Sequence, residues 1–178
     1  MSARQPVVGG VGGGVGTSLI AALIGAQDAG VVDETSSPVD VLVCRSVSSD
    51  LAIATRLAAV FMPHPVVVIN ADCGDKPPAQ VRDRARMMQP NVPAVLWFPW
   101  VKELRSLATP IEAVRHEVVA QVPPPWVMPA RGRREALVAA VLPLVTTAAP
   151  VDDDAVPAPN AIASTTEASA GERLRRIS

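Results

Sequence analysis

The sequence predicts an α/β domain with a small, mostly parallel sheet and helices on both faces. Short apolar runs alternate with amphipathic helical runs through most of the chain, and this alternation is typical of parallel sheets. A glycine-rich turn at residues 9–18 joins the first strand to the first helix. From residue 148 the chain is rich in Pro, Ala, Ser and Thr, a composition that favours disorder. We therefore expect one domain over residues 1–147 and a disordered tail over residues 148–178.

The predicted strands are short runs bounded by turn residues. Residues 39–44 and 65–70 are mostly apolar, as expected for strands that are buried on both faces of a sheet. Residues 6–9 and 92–98 complete the predicted sheet. The interval 28–38 contains Gly, Ser and Pro and predicts a polar connector.

The predicted helices carry apolar residues at helical spacing. The clearest one begins at Ser48 or Ser49, either of which can cap it, and ends before Pro63. Its apolar stripe comprises Leu51, Ile53, Ala54, Leu57, Ala58 and Phe61. The other predicted helices span residues 17–27, 79–89, 100–108, 110–122 and 133–146. Pro143 weakens the last of them, and Pro123–Pro125 predicts a rigid linker before it.

Composition limits the function classes. A hydrophobic content of 49% is enough for a substantial core. A formal net charge of −1 does not indicate nucleic acid or an anionic membrane as a partner. Cys44 and Cys73 are too few for a disulfide framework and lack metal-ligand spacing. A reducing cytoplasm is therefore the expected location.

A membrane anchor is an alternative for the N-terminal region. Residues 5–27 carry no charge, follow Arg4 and are long enough to cross a bilayer. Their glycines also match the G-x-x-x-G spacing of membrane helix dimers. Six glycines between residues 9 and 16 nevertheless make a poor helix. We therefore expect no membrane span.

Residues 9–18 have the form of a phosphate-binding loop that lacks its lysine. A turn between a strand and a helix can hold phosphate with backbone N–H groups. The standard motif places lysine directly before Ser or Thr, whereas here Thr17 precedes Ser18. The only lysines, Lys76 and Lys102, lie elsewhere. The shape of a nucleotide site is therefore predicted without its usual positive charge.

This loop resembles that of the partition/MinD-like (deviant Walker A) P-loop ATPase family, especially its degenerate actinobacterial and pilus-locus members. The family motif is Lys-Gly-Gly-x-Gly-Lys-Ser/Thr, and residues 13–16 match its Gly-Gly-x-Gly. Gly12 and Thr17 stand at the two lysine positions. The resemblance implies a reduced P-loop NTPase fold in which the Ser18 hydroxyl would bind Mg²⁺.

The resemblance extends to two later strands. Asn70, at the end of one strand, and Pro99, after the next, match the positions that contact the adenine base in this family. The implied cofactor is weakly bound ATP with Mg²⁺. The implied cofactor-binding residues are Gly12, Gly13, Gly14, Val15, Gly16, Thr17, Ser18, Asn70 and Pro99.

The acidic residues of the family have no clear counterpart. The family places two further strands, which carry a switch acid and the Walker B aspartate, where this chain has only residues 28–38. Asp33 and Glu34 lie there in a predicted loop and are poor substitutes. Hydrolysis requires charge on the γ-phosphate to be neutralised, so we expect no ATPase activity and no catalytic residue. The loop then either binds nucleotide through the N–H groups of Gly13–Thr17 or is an empty, rigid turn.

Other polar residues give weaker signals. Asp72 and Asp75 suggest a metal loop, but a polar turn explains them better because further ligands are lacking. His64 and His116 have no Ser or Cys partner in a nucleophile motif and are expected to be structural. Arg82, Arg84 and Arg86 are expected to form a solvated helix face.

Three features suggest partner surfaces. A basic cluster would give weak, salt-sensitive DNA contact through Arg131, Arg133 and Arg134. An aromatic cluster either covers the core or binds a protein partner, and it comprises Trp97, Phe98, Trp100 and Trp126. The basic and apolar C-terminal residues 171–178 resemble a peptide docking motif.

Taken together, these features favour a non-hydrolysing, partition/MinD-like scaffold or regulatory protein. It would dock a partner ATPase, or a positioning or conjugation apparatus on a plasmid or other mobile element. The resemblance implies a homodimer, or a heterodimer with a related ATPase. The alternatives are an ATP-dependent dimerisation switch without turnover and a small protein that is anchored in a membrane by residues 5–27.

Overall fold

The computed structural model describes residues 2–74 and 76–147. Its strands are β1 (Ser2–Ala3), β2 (Val7–Gly10), β3 (Gln27–Val31), β4 (Val41–Arg45), β5 (Val66–Asn70), β6 (Val95–Phe98) and β7 (Thr146–Thr147). Strands β1 and β7 pair antiparallel and bring the described ends together. The other strands form one parallel sheet with the order β3-β2-β4-β5-β6. The predicted α/β class with a parallel sheet is confirmed.

Five α-helices cover the two faces of the sheet. They are α1 (Thr17–Ile24), α2 (Ser48–Val60), α3 (Ala79–Met88), α4 (Pro110–Glu117) and α5 (Met128–Val145). The connections β2-α1-β3 and β4-α2-β5 run in opposite directions along the sheet. Because such crossovers are right-handed, α1 and α2 lie on opposite faces. Helices α4 and α5 pack with α1, and α3 packs with α2.

The core forms where the sequence is most apolar. The apolar residues of β4 and β5 are almost fully buried between the two helix layers. Leu51, Leu57 and Phe61 of the predicted α2 stripe are each 2% exposed or less, whereas Ile53 is only partly buried. The helical spacing therefore identified the buried face of α2.

The prediction that residues 28–38 form only a connector is wrong, because they include most of β3. This strand pairs with β2 at the edge of the sheet, and all five of its residues are exposed. Asp and Gly are depleted in strands, and an exposed edge strand needs no apolar run. Backbone pairing maintains it, since Gln27 N–H donates to the Pro6 carbonyl and Val32 N–H to that of Gly10.

Several predicted helix boundaries are also corrected. Residues 100–108 contain only a 3-10 turn at Lys102–Arg105. Pro110, which begins α4, disfavours a helical conformation at Thr109, so a helix does not continue through it. Helix α5 begins at Met128, five positions before the predicted start, with a proline in its first turn, and it accommodates Pro143 near its end. Helix α1 ends at Ile24 because Gly25 adopts a left-handed conformation.

Some predictions fall on residues outside the described ranges. These are the disorder of residues 148–178, the docking motif at 171–178 and the contribution of Asp75 to a metal loop. Residues 5–27, the alternative membrane anchor, form β2, the glycine-rich turn, α1 and the start of β3 rather than one helix. Across the described ranges, every helix is too short or too polar to cross a bilayer.

Candidate functional site

The candidate site lies where the order of the parallel strands reverses. From β2 the chain passes through α1 to β3 on one side and then returns to β4 on the other side of β2. In open α/β sheets, ligands bind outside the carboxyl ends of the strands at such a reversal. Residues 11–16, called the glycine loop here, follow β2 at this point and lead into α1. The fold therefore places the predicted phosphate-binding loop at the expected ligand position.

The interior of the glycine loop is filled by its own side chains. Val15 is 1% exposed, and Thr17, at the position of the family's lysine, is 9% exposed. A Cβ atom on Gly10 would lie 2.2 Å from Thr17 Oγ1 and 2.7 Å from a methyl carbon of Val15. Only glycine fits at that position. Thr17 is therefore a packing residue at the base of the loop.

Asn70, at the end of β5, braces the glycine loop. Its side-chain amide donates to the Val15 carbonyl at 3.0 Å. Gly16 has a φ of 95° and precedes α1, and a Cβ atom there would lie 2.2 Å from Asn70 Nδ2. The Asn70 amide therefore contacts the loop backbone in this structure. The adenine contact stays a prediction, and the sequence did not indicate this hydrogen bond.

Ser18, the expected Mg²⁺ ligand, is hydrogen bonded to an aspartate that the sequence did not indicate. Its hydroxyl donates to Asp28 Oδ2 on β3 at 2.5 Å. Asp28 Oδ1 accepts the Gly30 N–H at 2.8 Å, and both Ser18 and Asp28 are exposed. Hydroxyl and carboxylate oxygens are ligand types that Mg²⁺ accepts. Asp28 was missed because its strand was predicted to be a loop.

Asn70 and Pro99, the two predicted base-contacting residues, line one small cavity with Trp100 and Arg105. Its volume is about 120 Å³, below the roughly 300–1,000 Å³ of typical small-molecule sites. The Arg105 guanidinium lies 4.4 Å from the centre of the Trp100 ring, a distance typical of cation–π contact. A cation therefore lies near the glycine loop, although nothing in the sequence singled out Arg105.

The charged groups beyond β4 and β5 neutralise one another. Arg45 donates through Nε and a terminal nitrogen to Asp50 at 2.8 and 3.1 Å, and its backbone N–H donates at 3.2 Å. Next to this pair, the Ser46 hydroxyl donates to Asp72 at 2.5 Å. Burial opposes ionisation of Asp50, but the bonds from Arg45 outweigh it and hold the pKa of Asp50 below its ordinary value. The Asp72 carboxylate thus binds a group of the protein itself, the Ser46 hydroxyl.

The Asp50 pair predicts a pH-dependent stability. The pKa of Asp50 is lower in the folded chain than in the unfolded chain, so its contribution is present above about pH 4 and is lost as the pH falls through the folded pKa. Asp50→Asn should therefore be destabilising at pH 7, and its difference from the wild type should shrink below pH 4. Urea unfolding across this range measures the difference. A constant difference contradicts the prediction, and exposed Asp83→Asn is the control.

Asp33 follows β3, next to β2, the strand that leads into the glycine loop. Its hydrogen bonds differ from the Mg²⁺ contact of a Walker B aspartate. The Val32 N–H donates to the Gly10 carbonyl, which places Asp33 just beyond the paired region. Its carboxylate accepts bonds from the Thr35 N–H and hydroxyl and from the Ser36 hydroxyl. These bonds hold the pKa of Asp33 below its ordinary value. The carboxylate therefore stabilises its own turn.

Other predicted residues have structural contacts. Arg131 donates to the Ala120 carbonyl and Arg134 to that of Leu23, so two of the three basic-cluster arginines bind backbone. His64 Nδ1 lies 2.8 Å from the Ala58 carbonyl oxygen. The described ranges hold no group of three or more His, Cys, Asp or Glu residues placed to share a metal ion.

The aromatic cluster does not form one surface. Phe98 is 3% exposed and lines the cavity beside Asn70, whereas its neighbour Trp97 lines a separate cavity with residues of α3. Adjacent residues of a strand point to opposite faces, which explains the separation. Trp97 and Trp126 both pack against the core.

At this site, the lysine position is neutral and Arg45 is paired, so a nucleoside triphosphate lacks its usual charge partners. The glycine loop offers an anion its backbone N–H groups and the N-terminus of α1, which contributes about 1 kcal/mol. The lysine position holds a buried threonine, and Arg45 is paired with Asp50.

A comparison of the chain with family models, curated proteins and solved structures finds no match.

Proposed function

We propose that this protein is a non-hydrolysing scaffold or regulatory protein of the partition/MinD-like type. In this role it docks a partner ATPase, or a positioning or conjugation apparatus, without turning over nucleotide itself. In this proposal the α/β domain serves as a rigid platform for the partner. Dimer formation with itself or with a related ATPase, as in the resembling family, belongs to the same proposal, as does a cytoplasmic location.

The observation that carries the proposal is the contact between Asn70 and the glycine loop. The Asn70 amide is bonded to the Val15 carbonyl and lies directly against Gly16. An asparagine that contacts an adenine base needs its amide free for the ligand, whereas an N–H of the Asn70 amide is bonded to the loop backbone. The buried Thr17 supports the same conclusion because it replaces a charged side chain with a packed one.

Nucleotide titration of the full-length protein tests this proposal. Isothermal calorimetry with ATP, ADP and GTP, with and without Mg²⁺, should show no binding up to millimolar concentrations, and no phosphate should be released. The physical reason is that the lysine position holds the buried Thr17 and that Arg45 is paired with Asp50, so neither position supplies a cation to the phosphates of a nucleotide. Micromolar ATP binding would contradict the scaffold proposal, and ATP turnover would exclude it.

A partner experiment tests the docking role directly. Cross-linking in the native host should recover a P-loop ATPase, and the purified protein should change that ATPase's turnover in a defined mixture. Recovery of such an ATPase with no change in its turnover would contradict a regulatory role. An Arg105→Ala variant reports whether the carboxyl edge of the sheet takes part, because Arg105 is exposed there.

A nucleotide-binding switch is the second candidate, and the Ser18–Asp28 pair favours it. A hydroxyl beside a carboxylate at the start of α1 is a donor set that Mg²⁺ accepts. If the switch operates, ATP binding depends on Mg²⁺ and weakens at least tenfold in Ser18→Ala, about 1.4 kcal/mol. The control is Ser49→Ala, whose hydroxyl lies on α2 and contacts Asp50. Equal affinity in both variants would remove this candidate.

A further inference from the structure

A large cavity lies at the amino edge of the sheet, away from the glycine loop. It has a volume of about 770 Å³ and is called the amino-edge groove here. Its walls come from α2, the turn after it, the end of α3, the segment before β6 and the end of α5. The lining residues are Thr55, Ala58, Ala59, Met62, Pro63, His64, Met88, Pro90, Asn91, Val92, Pro93 and Leu144.

The amino-edge groove offers an apolar, uncharged surface. Most of its lining side chains are apolar, and the lining contains no Asp, Glu, Lys or Arg. The Thr55 hydroxyl is already bonded to the Leu51 carbonyl, and His64 Nδ1 is paired with that of Ala58. Met62 is 65% exposed, and methionine adapts readily to different apolar partners. The groove is therefore suited to apolar side chains.

We propose that the C-terminal segment of the same chain, residues 172–178, docks into the amino-edge groove. Leu144 of α5 lines the groove, and the described chain ends three residues later at Thr147. The remaining residues therefore start beside the groove. Among them, Leu174 and Ile177 are large apolar residues spaced three apart, a spacing that would place both on one face of a helical turn formed on docking.

The charge pattern of the C-terminal residues selects this segment over others. Val151 is followed by three consecutive aspartates, and carboxylates beside an apolar surface without a cation lose hydration without compensation. Arg173, Arg175 and Arg176 have long side chains that can reach water while their apolar neighbours are buried. Glu172, the one acidic side chain of the segment, stands at its start and can remain in water outside the groove.

The covalent connection between Thr147 and the segment means that weak contacts with the amino-edge groove are sufficient for docking. Residues 148–171 span at most about 80 Å when extended, and a domain of this size has a radius of gyration of about 15 Å. The groove is thus within reach. A short tether of this kind gives an effective concentration in the millimolar range. Docking therefore requires only a modest intrinsic affinity.

A spin label at the C-terminus tests the proposal in the full-length chain. Ser178→Cys is labelled with a nitroxide in a Cys73→Ser background, because Cys73 is exposed. Burial, together with nearby Asp50, raises the pKa of Cys44 to about 12, so its thiol does not react. In spectra of methyl-labelled methionine, the Met62 and Met88 signals should lose more than half of their intensity. Unchanged signals for both residues would overturn the proposal.

Three controls distinguish the other outcomes. Met128 begins α5, about 24 Å along the helix from Leu144, so its signal should be retained, and equal loss there would indicate unspecific contact and overturn the proposal. The double variant Leu174→Asp/Ile177→Asp should restore the Met62 signal. Mixing nitroxide-bearing chains with methyl-labelled chains that lack the nitroxide should leave the Met62 signal unchanged. Loss in that mixture would show docking between two copies and would overturn docking within one chain.

Discussion

Replacing Gly16 with alanine should lower the free energy of unfolding by about 2–4 kcal/mol. Gly16 has a φ of 95°, a conformation that costs other residues about 1–2 kcal/mol. The added Cβ would lie 2.2 Å from Asn70 Nδ2, so the side chain of Asn70 must move. That movement breaks its bond to the Val15 carbonyl, which contributes about 1 kcal/mol. Urea unfolding monitored by circular dichroism measures the change.

Two neighbouring glycines separate these contributions. Gly14 has a φ of 70° and open space around its Cα, so Gly14→Ala should cost only the conformational part, about 1 kcal/mol. Gly13 has no positive φ and no neighbour within 4 Å of an added Cβ, so Gly13→Ala should be nearly neutral. Equal losses for Gly16→Ala and Gly14→Ala would show that the Asn70 contact contributes nothing. The central support of the scaffold proposal would then be lost.

The buried parts of the fold could be predicted from the sequence because burial constrains composition. The cores of β4 and β5 are apolar on both faces, and the stripe on α2 repeats at helical spacing. Edge elements lack this constraint. Strand β3 is exposed along its whole length and includes Asp28 and Gly30. The pattern of hydrophobic residues therefore does not predict it. Its stability comes from backbone pairing with β2, which residues other than proline can provide whatever their side chains.

The candidate site could be located from the sequence, but its contacts could not be derived. The glycine spacing and the succession of strand and helix indicated residues 11–16. The bond from Asn70 to Val15 joins residues that are 55 positions apart, and only the packing of β5 against β2 through β4 brings them together. The pairing of Ser18 with Asp28 depends in the same way on the position of β3. A local motif predicts a loop's shape, whereas the partners of the loop are set by the sheet.

Replacing Arg4 with alanine should lower the free energy of unfolding by about 2–3 kcal/mol. The Arg4 guanidinium makes two bonds to the Asp40 carboxylate, at 2.7 and 2.6 Å, and the carboxylate also accepts the Val7 N–H at 2.8 Å. The Asp40 side chain is 4% exposed, whereas that of Arg4 is 49% exposed. Removing the arginine therefore leaves a buried charge with one remaining donor, and this is the costly half of the pair to lose.

Replacing Asp40, the buried partner, should lower the free energy of unfolding by less than replacing Arg4. Comparing the two substitutions tests this asymmetry. In Asp40→Asn the half-exposed Arg4 returns to water, and the amide oxygen can still accept the Val7 N–H, so the expected cost is about 1 kcal/mol. The double variant should be more stable than Arg4→Ala alone, because the buried charge is absent from it. Urea unfolding of the three variants at pH 7 gives the cycle. If Asp40→Asn proves as costly as Arg4→Ala, the asymmetry is absent, because the Val7 N–H keeps an acceptor in Asp40→Asn and both variants lose the same contact between Arg4 and residue 40. The unpaired carboxylate left by Arg4→Ala would then add no cost of its own, and the paired bonds would account for the whole effect on the strand that leads into the glycine loop.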